Sequence, residues 1–157
     1  MKKINVKIVL IVIIILFLIV IDQLIKYNVF NNLYNSSLSI INGFLNFTYV
    51  ENTGGAFGIG SNNIVFFIII TVIVIGILIK LLLLKKEEIN MSIIISFSLV
   101  IAGGIGNLID RIFRGFVIDY IDISPLIKYP VFNFADICIV FGIIILGISL
   151  IRNRDKL

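Results

Sequence analysis

The chain has 157 residues, 60% of them hydrophobic and 14% charged, with a mean hydropathy of +1.18. Such a composition excludes a soluble or disordered domain and defines an integral membrane protein. With no histidine and one cysteine, Cys138, an internal disulfide is impossible and a zinc or haem site built on those residues is disfavoured, so no metal or cofactor is expected.

Four apolar segments, about residues 7–25, 64–84, 91–109 and 134–151, each approach the roughly 20 residues that a helix needs to cross a hydrocarbon core about 30 Å thick. The fold class expected is an all-α membrane protein of four transmembrane helices, with residues 1–157 forming a single integral membrane domain. The first segment follows lysines as a secretory signal would. No small-x-small cleavage pattern comes after it, so it reads as an uncleaved span. Lys2, Lys3, Lys7, Lys80, Lys85, Lys86, Arg152, Arg154 and Lys156 lie on one side of the resulting topology, against Lys26, Arg111, Arg114 and Lys128 on the other. The positive-inside rule then puts both termini in the cytoplasm. The net charge of +4 therefore reports topology and does not call for a nucleic-acid partner.

Asp22 and Lys26 close the first span at i, i+4 spacing, which suits an ion pair on one helix face. The outer connection 27–63 follows. Its "SLSIINGFLNFTYVENTGGAFGIG" alternates apolar and polar residues around Asn-Gly and Gly-Gly turn signals, and predicts two or three short strands or extended segments between Ser37 and Phe57. The second and third spans are joined by the short "KKEEIN". In "GGIGNLIDRIFRGFVIDYID", Asn107, Asp110 and Arg111 have i, i+3, i+4 spacing and project from one side if the third helix persists. Gly103, Gly104 and Gly106 just before them allow close helix packing or the approach of a substrate backbone. The outer connection 110–133 leads to "FNFAD", where Asn133 and Asp136 have the spacing of an N-cap and its acidic partner. Cys138, inside the last apolar run, reads as a small buried residue.

Six acids, Asp22, Glu51, Asp110, Asp119, Asp122 and Asp136, fall at one membrane face, and only Glu87, Glu88 and Asp155 at the other. A carboxylate beside hydrocarbon is paired, solvated or functional. Capping accounts for part of the placement of Asp136 but not for Asp119, 17 residues earlier, on a connection able to double back to it. Two carboxylates in a poorly solvated site share one proton. Such a pair hydrolyses a peptide by having the charged member take a proton from water while the neutral member polarises the carbonyl. The pair is a coupled unit whose proton the sequence alone does not assign; the helix N-terminus at Asp136 favours its charged form, which leans Asp119 toward the acid.

The ordered blocks "DQLIK", "ENTGGAFG", "GGIGNLIDRIFRGFVIDYID" and "FNFADICIVFG" together resemble those of lipoprotein signal peptidases, the type II signal peptidases of bacteria, over essentially the whole chain. The resemblance implies an intramembrane aspartic endopeptidase of the bacterial cytoplasmic membrane. Such an enzyme cuts diacylglyceryl-modified prolipoproteins before the lipidated cysteine, with lipidated substrates and membrane lipids as partners; a monomer is expected, though not from the resemblance. It places the catalytic dyad on Asp119 and Asp136, and makes Asn52, Gly54, Asn107, Asp110, Arg111, Asn133 and Ala135 supporting or substrate-positioning residues. Asp22 and Lys26 become a structural ion pair. It also implies a small extracytoplasmic β-cradle and an interfacial helix over the site. Gly55, Ile137 and Tyr120 depart from the usual alanine, small or hydroxyl residue, and phenylalanine of the family, without removing a catalytic group. Two rival readings are an ion-coupled transporter, which needs acids spread through the bilayer depth, and a scaffold using the acids only as ion-pair partners.

Overall fold

The computed structural model describes residues 6–55, 60, 63–84 and 90–152. Within it lie helices α1 (Val6–Leu33), α2 (Ile64–Leu84), α3 (Met91–Phe113) and α4 (Phe134–Arg152), and strands β1 (Ser37–Ile41), β2 (Leu45–Asn52) and β3 (Val117–Asp122). All four helices are long and apolar enough to cross a membrane. The sequence expectations for Ala56 to Gly58, for "KKEEI", and for Lys2, Lys3, Arg154 and Lys156 lie outside the described residues.

Two of the expected spans end later than their apolar runs. Helix α1 continues from Ile25 to Leu33, giving 28 residues, about 42 Å of helix against a hydrocarbon core of about 30 Å. The extra turns are amphipathic: Val29 is buried and Leu33 packs with it against Tyr49, Ile118 and Tyr120 of the sheet. Asn35 then takes a left-handed backbone (φ 53°), and Ser36 N–H donates to Leu33 O at 2.9 Å, ending the helix as Asn commonly does. Helix α3 likewise runs through Asp110 and Arg111 to Phe113, because Asp110 pairs with Arg114 one turn on.

The connections fold into one antiparallel sheet ordered β1-β2-β3. Strands β1 and β2 form a hairpin across the Asn-Gly turn signal, with Gly43 at φ 72° in its turn. The third strand comes from the second connection, where no strand was anticipated. Gly115, at φ 80°, lets the chain reverse out of α3, and Val117–Asp122 pairs along β2 with Val50 opposite Asp119 and Asn52 opposite Val117. Its residues are almost all buried, so the outward polar face that usually reveals a strand is missing. No separate interfacial helix is seen among the described residues, residues 56–59 and 61–62 of the β2–α2 connection lying outside them.

Helix α3 is the hub of the bundle, packed against α4, α1 and α2. A Cβ on Gly103 would collide with the Ala135 carbonyl and the Ile139 side chain of α4, and one on Gly106 with the Asp22 carboxylate of α1. These glycines thus serve close packing among helices, one of the two readings the sequence left open. An apolar cluster of Ile11, Leu82, Ile94, Phe97 and Ile101 fills the space between α1, α2 and α3. Helix α2 buries only Leu82, as befits a helix whose remaining surface meets lipid.

Candidate active site

At the end of the bundle next to the sheet, four elements bring polar side chains together. The N-terminus of α4 carries the first. Asn133 caps it in the anticipated manner: Asp136 N–H donates to Asn133 Oδ1 at 3.0 Å, and Asn133 N–H donates to Asp136 Oδ2 at 3.1 Å. The other exposed donors of this first turn go to distant elements. Phe134 N–H reaches the Tyr120 hydroxyl at 3.3 Å and Ala135 N–H reaches Asp22 Oδ1 at 3.1 Å. The start of α4 is therefore bolted to β3 and to α1 through groups that a helix must satisfy in any case.

Asp119 arrives from β3. Asn52, diagonal to it across the β2–β3 pairing, donates Nδ2 to Asp119 Oδ2 at 2.8 Å, within the reach of such diagonal neighbours. Asn133 donates Nδ2 to Asp119 Oδ1 at 2.6 Å, and Asn107 donates Nδ2 to Asp136 Oδ1 at 2.8 Å. Asn133 thus touches both acids. Asp119 is 2% exposed. Burial, and then the neighbouring Asp136 charge, push its pKa up to about 7, against the smaller opposing pull of the Asn52 and Asn133 donors.

Beside the acids lies a cavity of about 570 Å³, bounded on its polar side by Asn52, Gly54, Asn107, Arg111, Asp119 and Asp136. Its apolar walls are Val50, Val117, Tyr129 to Phe132, and Ile139 with Val140 one turn further along α4. Arg111 donates to Gly54 O at 2.9 Å and lies over the Phe67 ring of α2 at 5.2 Å, an arrangement worth about 0.5–1 kcal/mol or more. Gly54 N–H in turn donates to Asn52 Oδ1 at 2.9 Å. Asn52 is thereby oriented so that only its NH2 faces Asp119.

The remaining candidates face away from the cavity. Asp110 was expected to share a side with Asn107 and Arg111. It turns instead toward α1 and β3, accepting from Lys26 Nζ at 2.9 Å and from Ile118 N–H at 3.2 Å, and pairing with Arg114. The reason lies in the roughly 100° step of the helix, which separates Asp110 from Arg111. Asp22 and Lys26 form the anticipated ion pair at 3.0 Å, both fully buried. Ala135 supplies only its backbone and a small side chain, 1% exposed. Sequence reasoning missed Arg114, Gln23, which donates to Gly106 O at 3.2 Å, and Phe67. The i, i+4 spacing of Asp110 and Arg114 was the one available signal among them.

Asp119, buried on a strand, and Asp136, half-buried at a helix start, lie at one end of four membrane-length helices, an arrangement that fits the class of membrane aspartic peptidases. The sequence profile of the Peptidase_A8 family, signal peptidase (SPase) II, matches residues 14–152. The chain is 40% identical over 148 residues to the lipoprotein signal peptidase of Clostridioides difficile strain 630, covering 92% of this chain and 97% of that one. It is 35% identical over 147 residues to the lipoprotein signal peptidase of Staphylococcus aureus strain Newman, covering 92% and 90%. A solved bacterial membrane enzyme structure, obtained by the in meso method at 2.3 Å resolution, superposes with a TM-score of 0.84 at 34% identity, over 93% of this chain and 90% of that one. A second, at 1.9 Å, gives 0.80 at 35% identity, over 89% and 91%. The chain belongs to the signal peptidase II family and is a multi-pass membrane hydrolase of the aspartic peptidase class.

Proposed function

We propose that Asp119 and Asp136 are the catalytic dyad with which this enzyme removes the signal peptide from diacylglyceryl-modified prolipoproteins, cutting before the lipidated cysteine. The observation that carries the reading is the position of Asn133. One side chain holds Asp119, caps α4, and through that cap fixes Asp136. Both carboxylates border the same cavity.

The chemistry follows from the environments. Asp119, with its pKa pushed up to about 7 by burial and by Asp136, holds a proton below about pH 7, far above the range of an ordinary aspartate. Asp136 accepts from Asn133 N–H at the start of α4 and from Asn107 Nδ2. The charged member removes a proton from water as its oxygen attacks the scissile carbonyl carbon, while the neutral member protonates the carbonyl oxygen. Collapse of the tetrahedral intermediate breaks the C–N bond: the proton taken from water passes to the leaving amine, and the hydroxyl formed from the carbonyl returns its proton to the other aspartate as the C=O bond re-forms. The pair ends with the single proton with which it began.

Substrate selection rests on lipid. The acyl chains remain in the bilayer at roughly 0.8 kcal/mol per buried methylene, and the apolar wall at Ile139 and Val140 carries the cavity onto a half-exposed flank of α4. Asn52, Gly54 and Arg111 line the polar side and orient the peptide. Nine of the thirteen basic residues fall in the sequence segments on the side away from the dyad, which by the positive-inside rule supports an extracytoplasmic dyad and cytoplasmic termini.

The test is cleavage of a diacylglyceryl-modified prolipoprotein peptide by the purified protein, beside the same peptide without its lipid. The lipidated peptide is cut before its cysteine and the bare peptide is not; equal cleavage of both would refute selection by lipid.

A further inference from the structure

Lys26 does more than its charge requires. Its ammonium has three donors, and all of them are engaged: with Asp22 Oδ2 at 3.0 Å, Asp110 Oδ2 at 2.9 Å and Asn107 Oδ1 at 2.9 Å. The two carboxylates account for keeping a cation with no solvent exposure. The third bond goes to a neutral amide that in turn holds Asp136. We infer that Lys26 is a positioning residue of the dyad, fixing which way the Asn107 amide faces. This inference rests on the dyad reading above.

The argument is one of donors and acceptors. Asn107 Oδ1 accepts from Lys26 Nζ and from Asn133 Nδ2 at 3.1 Å, while Asn107 Nδ2 donates to Asp136 Oδ1 at 2.8 Å. Rotating the amide by half a turn would set its NH2 against the ammonium and a second NH2, and its carbonyl against the Asp136 carboxylate. An ammonium accepts no hydrogen bond, so the observed orientation is the one that leaves every partner matched. The carbonyl held by Lys26 also receives the Asn133 amide, whose same nitrogen donates to Asp119 Oδ1. Lys26, on α1, thus orients one acid through Asn107 and the other through Asn107 and Asn133. A guanidinium offers a flat fork in place of three tetrahedral donors. Arginine at this position would keep the charge and lose the geometry.

The test separates charge balance from positioning. In Lys26→Met/Asp22→Asn, one charge of each sign is removed, Asp110 keeps Arg114 as its partner, and the amide introduced on α1 retains an oxygen for the Ala135 N–H. With the diacylglyceryl-modified peptide as substrate, kcat falls on the order of a hundredfold relative to Asp22→Asn alone, while KM changes little. In an Asn107→Ala background the same lysine change has almost no further effect, because the link through which it acts is gone. Parental kcat in the double variant, or equal losses with and without Asn107, would overturn the inference. Should the double variant fail to fold, Lys26→Arg takes its place, with a loss of kcat of about tenfold or more expected and parental kcat contradicting. Asp119→Asn and Asp136→Asn run alongside: activity in either defeats the dyad itself, whereas their inactivity beside fully active lysine variants defeats only the role of Lys26.

Discussion

Asn133 and Asp136 hold each other reciprocally, each backbone N–H donating to the other's side-chain oxygen at 3.1 and 3.0 Å. The exchange completes a helix cap, and it leaves the Asn133 amide nitrogen available to grip Asp119 at 2.6 Å. Capping and the proposed catalysis are therefore two uses of one side chain, and they are separable by substitution.

Asn133→Ser keeps an oxygen for the Asp136 N–H and removes the NH2 that faces Asp119, without adding a charge. Thermal stability in detergent is expected to stay near that of the parent, while kcat falls about a hundredfold or more. Asn133→Ala loses both functions, and costs an additional ~1–2 kcal/mol of stability. Denaturation curves and cleavage rates measured on the same preparations distinguish the two effects.

The raised pKa of Asp119, about 7, has consequences of definite sign. Activity falls as pH rises through about 7, because the dyad loses its shared proton, and the decline approaches tenfold per pH unit. In the unfolded chain an Asp titrates near 3.9, so between about pH 4 and 7 the folded state binds more protons and stability declines with rising pH. Asp119→Asn removes that decline. The variant should unfold at a higher temperature than the parent above pH 7, by an amount corresponding to up to a few kcal/mol. A variant less stable than the parent at every pH would contradict the burial of an ionising group at this position.

Gly103 tests the helix packing that sets the depth of Asp136. A Cβ there meets the Ala135 carbonyl and Ile139, backbone and a packed side chain that cannot swing aside. Gly103→Ala should cost about 3 kcal/mol or more and reduce cleavage sharply by displacing the turn that carries the acid. At Gly76 a Cβ meets nothing within 4 Å, so Gly76→Ala on α2 should leave both quantities unchanged. Melting temperature and rate for the two variants supply the comparison.

The sequence made visible what is written locally. Helix α2 occupies Ile64–Leu84 as its apolar run indicates, the cap at Asn133 follows from its spacing to Asp136, and Asp22 and Lys26 pair as i, i+4 residues should. What depended on distant partners was hidden. The last turns of α1 look too polar for a span and are helical because Val29 and Leu33 find the sheet. Strand β3 needs β2, more than sixty residues earlier, to satisfy its backbone, and being buried it lacks an alternating pattern. The motif around Asn107 brings its polar residues to one end of the bundle, yet only packing against α1 shows that Asp110 serves Lys26 and Ile118 while Asn107 and Arg111 face the cavity.

Water activation by the two acids is the central claim, and isotope incorporation addresses it most directly. The lipidated peptide is cleaved in 18O-water by the parent, Asp119→Asn and Asp136→Asn, and the released signal peptide is weighed by mass spectrometry. The parent should place one 18O in the new carboxyl group, and each variant should slow by on the order of a thousandfold or more while remaining folded. Cleavage at the parental rate by either variant would contradict the account.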